Sequence, residues 1–199
     1  MQNQKSDKIV EIFNELKDKR LIVSERIIES STTITSFKSS TLKSDNKIFY
    51  NPMMIKLDDY SIRFCLLHEE GHFVNTQYGF YCFPLCILIG CIPFIVTCFV
   101  IHSNPVHQFF SIIIVPLVFF LSWKIFPRYD ELKSDEFASR LLKKYYNQKT
   151  PSKILERALE FIYQDGISFS DSHPSPKNRI TNINKRVDEK NNPLKRVQS

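Results

Sequence analysis

Apolar positions recur at helical spacing early in the chain. Ile9, Val10, Ile12, Phe13 and Leu16 share one face, and Ser6 is placed to cap the helix they predict. Residues 21–36, LIVSERIIESSTTITS, are rich in Ile, Val and Thr and predict a strand. SSTLKSDN (39–46) predicts a loop, and KIFYNPMMI (47–55) a second short strand ended or kinked by Pro52. A helix is expected from Asp58 or Asp59 through FCLLHEEGHFV (64–74). Further on, PRYDELKSDEFASRLLKKYY (127–146) reads as a helix with Pro127 near its first turn. Thr150 and Pro151 open the next helix, whose apolar stripe is Ile154, Leu155, Ala158, Leu159 and Ile162 and which Gly166 closes. Ser175 and Pro176 repeat the cap-plus-proline start, and DEKNNPLKRVQS (188–199) reads as a polar tail. Strands and helices are segregated in the sequence, which points to an α+β fold, mainly helical with a small β-hairpin.

Between these parts the pattern changes. Residues 80–123 contain no Asp, Glu, Lys or Arg, and the charges lie in the two flanks. The apolar stretch divides at HSNPVHQ (102–108). Residues 81–101 match the roughly 20 residues needed to span a bilayer as a helix. Residues 109–126 are shorter, with Trp123 and Lys124 suited to an interface. Pro84, Pro93 and Pro116 are better tolerated in lipid-embedded helices than in soluble ones. The expectation is an inserted two-helix transmembrane hairpin at 81–126. No basic residue lies in its turn, whereas Lys124, Arg128, Lys133, Arg140, Lys143 and Lys144 crowd its exit and Arg63 precedes it. The positive-inside rule then places both flanks on the cytoplasmic side of a cell membrane crossed twice. The polar start of the chain predicts no signal peptide.

A length of 199 residues suits one domain with an insertion. The expected organisation is a first part at 1–80, the hairpin at 81–126, a second part at 127–187 and a tail at 188–199. A net charge of +6 is a modest excess suited to anionic lipid headgroups; no nucleic-acid motif accompanies it, so no nucleic-acid partner is expected. Cysteines 65, 82, 86, 91 and 98 include no Cys-x-x-Cys pair, and buried thiols explain them. Cys65 lies three residues before His68 on the same face and is a competing metal ligand.

The chemistry centres on HEEGH. On a helix His68 and His72 project from one face a turn apart, so both imidazoles reach one metal ion. Glu69 is turned about 100° from His68, poorly placed as a ligand and well placed to take a proton from water activated by that metal. Gly71 lets another element approach between the histidines. A third ligand is needed, with one position left open for water. Glu131 and Asp135, four apart on one helical face with Arg128 a turn earlier, are the candidates. Glu131 completes the set, and Asp135 accepts a hydrogen bond from the far nitrogen of a ligand histidine. KIFYN is either a sheet edge that aligns a substrate backbone by strand addition or an ordinary buried strand.

HEEGH, an apolar hairpin, Arg-x-x-Glu-x-x-small-Asp and HPSPKNRI (173–180), in that order, resemble the integral-membrane zinc metallopeptidases of the HtpX heat-shock protease and CAAX prenyl protease family. The resemblance covers about residues 45–187. It implies a zincin-like domain with one Zn2+ on His68, His72 and Glu131, Glu69 as general base and Asp135 behind the ligands, with Arg128 nearby. The late histidine and arginine of the family's pattern fall on His173 and Arg179. His173 precedes a helix N-terminus and can donate to the oxyanion formed from a peptide carbonyl. Arg179 can hold that loop by pairing with a carboxylate of the 127–146 helix. Ser134 stands where the family usually has alanine.

The expected function is a membrane-anchored zinc endopeptidase acting on protein or peptide segments and partnered by the lipid bilayer. Two spans are too few to enclose a chamber for a prenylated substrate, so flexible or membrane-proximal segments fit better. A sensor-type peptidase dedicated to one partner is an alternative, as is a non-catalytic zinc scaffold. Glu69 argues against the scaffold, since a structural zinc site closes with four ligands and needs no adjacent base.

Overall fold

The computed structural model describes residues 7–30, 36–40, 46–75, 128–164 and 173–188. The expected hairpin at 81–126, Ser6 and Gly166 lie outside the described residues. Among the described residues no helix is long and apolar enough to cross a membrane.

Helix α1 (Asp7–Asp18) buries Ile9, Ile12, Phe13 and Leu16, the stripe its sequence predicts. It ends with Arg20 in the left-handed region, φ 56°. Leu21 N–H then donates to Leu16 O at 2.9 Å and Arg20 N–H to Lys17 O at 2.8 Å. These two bonds satisfy terminal carbonyls and turn the chain back along the helix.

Strands β1 (Arg26–Glu29), β2 (Phe37–Ser39) and β3 (Lys47–Tyr50) form a mixed sheet in the order β1-β3-β2. β1 runs parallel to β3, pairing Arg26 with Lys47 and Glu29 with Tyr50. β2 runs antiparallel to β3, pairing Phe37 with Tyr50 and Ser39 with Ile48. Two expectations are corrected here. Of the 21–36 segment only Arg26–Glu29 is strand among the described residues, because the preceding donors, Val23 N–H and Ser24 N–H, bond to Glu70 instead of a ladder. KIFYN is no sheet edge: β3 is the middle strand, with Ile48 and Tyr50 buried and both sides paired.

Asn51 caps a 3-10 turn (Pro52–Lys56), and Asp58 then starts helix α2 (59–75). Asp58 Oδ1 accepts from Tyr60 N–H and Ser61 N–H at 3.1 Å each. α2 is buried almost all round between Ser61 and His68, as suits a central helix. Helix α3 (128–146) lies against it, and α4 (Pro151–Gln164) and α5 (Pro176–Ile183) complete the helical side. Ile62, Leu66 and Leu67 share one core with Ala138, Leu142, Leu155, Ala158 and Ile183. A short π-helical turn (Asn184–Asp188) ends the described chain, and Ser152 Oγ donates to Asp188 Oδ2 at 2.6 Å. Residue 188 is therefore docked rather than part of a tail.

Two features fix α2. A Cβ at Gly71 would lie 2.8 Å from the Cα of Ser134 on α3, so glycine is required for the helices to come this close. At the other end Glu15 of α1 gathers donors from the turn that follows α1, from α2 and from α3. Lys19 Nζ donates to Glu15 Oε1 at 2.7 Å, Tyr146 OH to Oε1 at 2.8 Å and Arg63 Nε to Oε2 at 3.1 Å. Burial pushes the Glu15 carboxyl up, but bonds from Lys19, Arg63 and Tyr146 outweigh it and bring the pKa down to about 2.

Gly71→Ala raises helix propensity by about 1 kcal/mol, yet overpacking against backbone costs about 1–3 kcal/mol and the obstructing atom cannot rotate away. We therefore expect a lower melting temperature, and a raised one would show that the two helices can separate freely. The Glu15 stabilisation is complete above about pH 4.5 and is lost as pH falls toward about 2, because the folded-state pKa lies below the ordinary one. Glu15→Gln is expected to cost about 1–2 kcal/mol at neutral pH, after allowance for partial exposure. Chemical denaturation of both proteins from about pH 7 to about pH 3 should show the gap narrowing as pH falls. A constant gap would rule out ionic anchoring.

Candidate metal centre

The C-terminal half of α2 and the N-terminal half of α3 face each other in opposite directions. His68 meets Asp135 and His72 meets Asp130, so rising numbers on one helix match falling numbers on the other. Gly71 and Ser134 touch between these pairs, and the absence of a side chain at 71 is what lets the imidazoles reach the carboxylates.

One carboxylate lies at the centre. Glu131 Oε1 is 3.3 Å from His72 Nε2, and Glu131 Oε2 is 3.5 Å from His68 Nε2. One ligand atom from each of His68, His72 and Glu131 falls within 4.8 Å of the other two. A carboxylate lies behind the opposite nitrogen of each ring. His72 Nδ1 is 2.7 Å from Asp130 Oδ2, and His68 Nδ1 is 2.9 Å from Asp135 Oδ1. A carboxylate behind each ring favours a proton on Nδ1 and turns Nε2 toward the centre, and the two Nε2 atoms lie 3.0 Å apart. At that separation a proton or a metal cation between the two nitrogens offsets the repulsion of their lone pairs.

The surrounding charge makes the same demand. Burial works against the charged form of every group here, and the neighbours override it. Asp135 and Glu131 raise the pKa of His68, while Asp130 and Glu131 raise that of His72 well above the ordinary imidazole value. His173, His68 and His72 hold the Glu131 carboxyl well below its usual range. Asp135 is completely buried and is lowered chiefly by Arg179. Arg179 Nε donates to Asp135 Oδ2 at 2.7 Å and Nη2 to Oδ1 at 2.6 Å, a two-pronged pairing, with Nη1 3.4 Å from Glu131 Oε2. Ser175 caps α5 and so aims Arg179, in the first turn, back at α3. His173, just before that cap, brings Nε2 to 3.3 Å from Glu131 Oε1 and keeps 47% of its side chain exposed.

The neighbouring acids of HEEGH have separate partners. Glu69 Oε2 accepts from Ser39 N–H of β2 at 2.6 Å and is half-buried. Glu70 is 1% exposed and accepts from Val23 N–H at 2.9 Å, Ser24 N–H at 3.3 Å and Ser24 Oγ–H at 2.6 Å. It ties α2 to the segment entering β1. Cys65 is buried, and burial first, then the nearby Glu69 charge, pushes its thiol up to about 12, which disfavours the thiolate a metal needs.

His68, His72, Glu131, Asp135, His173 and Arg179 thus converge, as the motifs suggest. Arg128 instead lies exposed at the start of α3. Asp130, Glu70 and the Ser39 N–H were not singled out from sequence. Asp130 carried a weak signal, as a third acid beside Glu131 on the helix expected to face the histidines. The partners of Glu70 and Glu69 are backbone groups distant in sequence, and no local pattern marks them.

Two imidazole nitrogens, one carboxylate and carboxylates behind each ring fit a single divalent ion of the zinc type. No curated protein and no solved structure gives a significant match to the chain. The sequence profile of peptidase family M48 matches residues 4–187, which include every residue of this cluster. The chain belongs to peptidase family M48 and is a metal-dependent peptidase.

Proposed function

We propose that this chain is a zinc-dependent endopeptidase held in the membrane by residues 81–126, akin to the HtpX and CAAX prenyl protease branch of its family. The observation that carries the reading is the convergence of His68, His72 and Glu131 within 4.8 Å, directly beside Glu69. Zinc bound by these residues supplies a Lewis acid that makes water a nucleophile at neutral pH. Glu69 takes the proton from the attacking water and passes it to the leaving amine. Its bond from the Ser39 N–H holds the half-buried carboxylate between β2 and α2. His173, half exposed beside Glu131, donates to the carbonyl oxygen as negative charge develops there. Asp135 and Arg179 keep His68 and Glu131 in register. Protein or peptide segments are the substrate. The peptidase domain is formed by 1–80 and 127–187 around the inserted hairpin, with the basic flank of 124–144 placing it on the cytoplasmic side.

Glu69→Gln is expected to retain zinc and lose nearly all hydrolysis of casein by detergent-purified protein. Glu131→Ala should lose most of its zinc, while Cys65→Ala keeps it. Near-wild-type hydrolysis in Glu69→Gln would remove the base from the mechanism, and zinc that follows Cys65 rather than Glu131 would remove the third ligand. For the topology, a single cysteine introduced at Asn104 in a cysteine-depleted background should react with an impermeant reagent added to intact cells. One at Lys149 should react only after lysis, and the reverse pattern would place the site on the other side of the membrane.

A further inference from the structure

Metal-binding histidines depend on what holds their second ring nitrogen. Behind His68, with Oδ1 2.9 Å from Nδ1, stands Asp135, the aspartate that the Arg-x-x-Glu-x-x-small-Asp pattern contains. At His72 the holder is Asp130, whose Oδ2 lies 2.7 Å from Nδ1, at a position the pattern leaves unspecified. Building on the metal-site reading above, we propose that Asp130 is the positioning residue of His72. Both ligand histidines are then oriented by carboxylates of α3, one at each end of the site.

The register of the two helices supports this. α2 and α3 run in opposite directions, so a step of four residues from His68 to His72 is answered by a step of five from Asp135 to Asp130. At about 1.5 Å per residue these steps are about 6 and 7.5 Å, a close match along the shared axis. Glu131 lies between, reaching both Nε2 atoms from the side the two aspartates leave open.

The two pairs are unequal. Asp135 is completely buried and paired with Arg179, so its charge is partly offset by the guanidinium. Asp130 keeps 38% of its side chain exposed and pairs with a ring that is itself only partly covered. His68 is therefore locked by a buried network that also builds the core, whereas His72 is held by one carboxylate at the rim. Removing Asp130 frees the ring without opening the core. Its loss is expected to act on metal binding and to leave the fold intact, a separation that Asp135 does not offer.

Zinc affinity of the full-length, detergent-purified protein, measured by competition with a chromophoric chelator, tests this. Asp130→Ala should weaken zinc about 10- to 100-fold, the range for loss of such a partner. Asp130→Asn, which keeps an oxygen able to accept from Nδ1–H, should recover part of that loss. Asp59→Asn, which removes a surface carboxylate paired with Lys8, should bind as wild type and so controls for net charge. The melting temperature of the metal-free protein should be the same in wild type and both Asp130 variants, and the visible spectrum of the cobalt-loaded protein should change in Asp130→Ala. Affinity within about twofold of wild type in Asp130→Ala would overturn the assignment. So would an affinity loss matched by a fall in metal-free melting temperature that Asn does not restore. If wild type binds zinc and only the Asp130 effect is missing, the metal site stands and this inference alone fails; a wild type that takes up no zinc overturns both.

Discussion

At Gly71 the backbone of α2 comes so near α3 that a single added carbon would lie 2.8 Å from the Cα of Ser134. That approach sets the scale of the whole site. Imidazole and short carboxylate side chains reach only a few ångströms, and they can meet in three-way contact only if their helices nearly touch. The sequence meets this requirement with a glycine between the two histidines and a serine between Glu131 and Asp135. A larger residue at either position would move apart groups whose separations are 2.7–3.5 Å.

Close approach brings an electrostatic problem with it. Glu70, Glu131 and Asp135 are all buried, and a buried carboxylate is tolerated only when paired or hydrogen-bonded. Each is satisfied differently. Glu70 takes backbone and hydroxyl donors from residues 23 and 24, Asp135 takes the guanidinium of Arg179, and Glu131 takes three imidazoles and the edge of the same guanidinium. The first two are closed arrangements of protein groups alone. The third is the one that faces both Nε2 atoms, which sets it apart from a carboxylate that only ties elements together. Metal binding at such a point adds its free energy to that of folding, since the arrangement does not exist in the unfolded chain.

Much of this was legible in the residues, for reasons that differ. His68 and His72 were visible because a fixed helical spacing converts two letters into one geometry. The starts of α2, α4 and α5 were visible because Asp58, Thr150 and Ser175 with their following prolines or polar residues are local signals. The extent of β1 was not, because the donors of Val23 and Ser24 are taken by Glu70, 46 or 47 residues away, and propensity cannot see a distant side chain. The central place of β3 was hidden for a related reason: its short run of alternating residues suits an edge or a centre until the partners are known. Asp130 was missed because its role depends on the direction in which two helices pass, which no single segment encodes.

Asp135 and Arg179 are 44 residues apart, and Asp130 lies 58 residues after His72, across the long uncharged stretch. A nascent chain meets these residues in order. When HEEGH has left the ribosome, nothing is yet present to hold its rings. When α3 follows, Asp135 carries a charge that cannot be buried stably until residue 179 has also been made. Closure of the site therefore waits until residue 179 has been made, so a chain stopped before it does not hold the assembled cluster. For a peptidase, that timing is a safeguard written into the distance between an aspartate and an arginine.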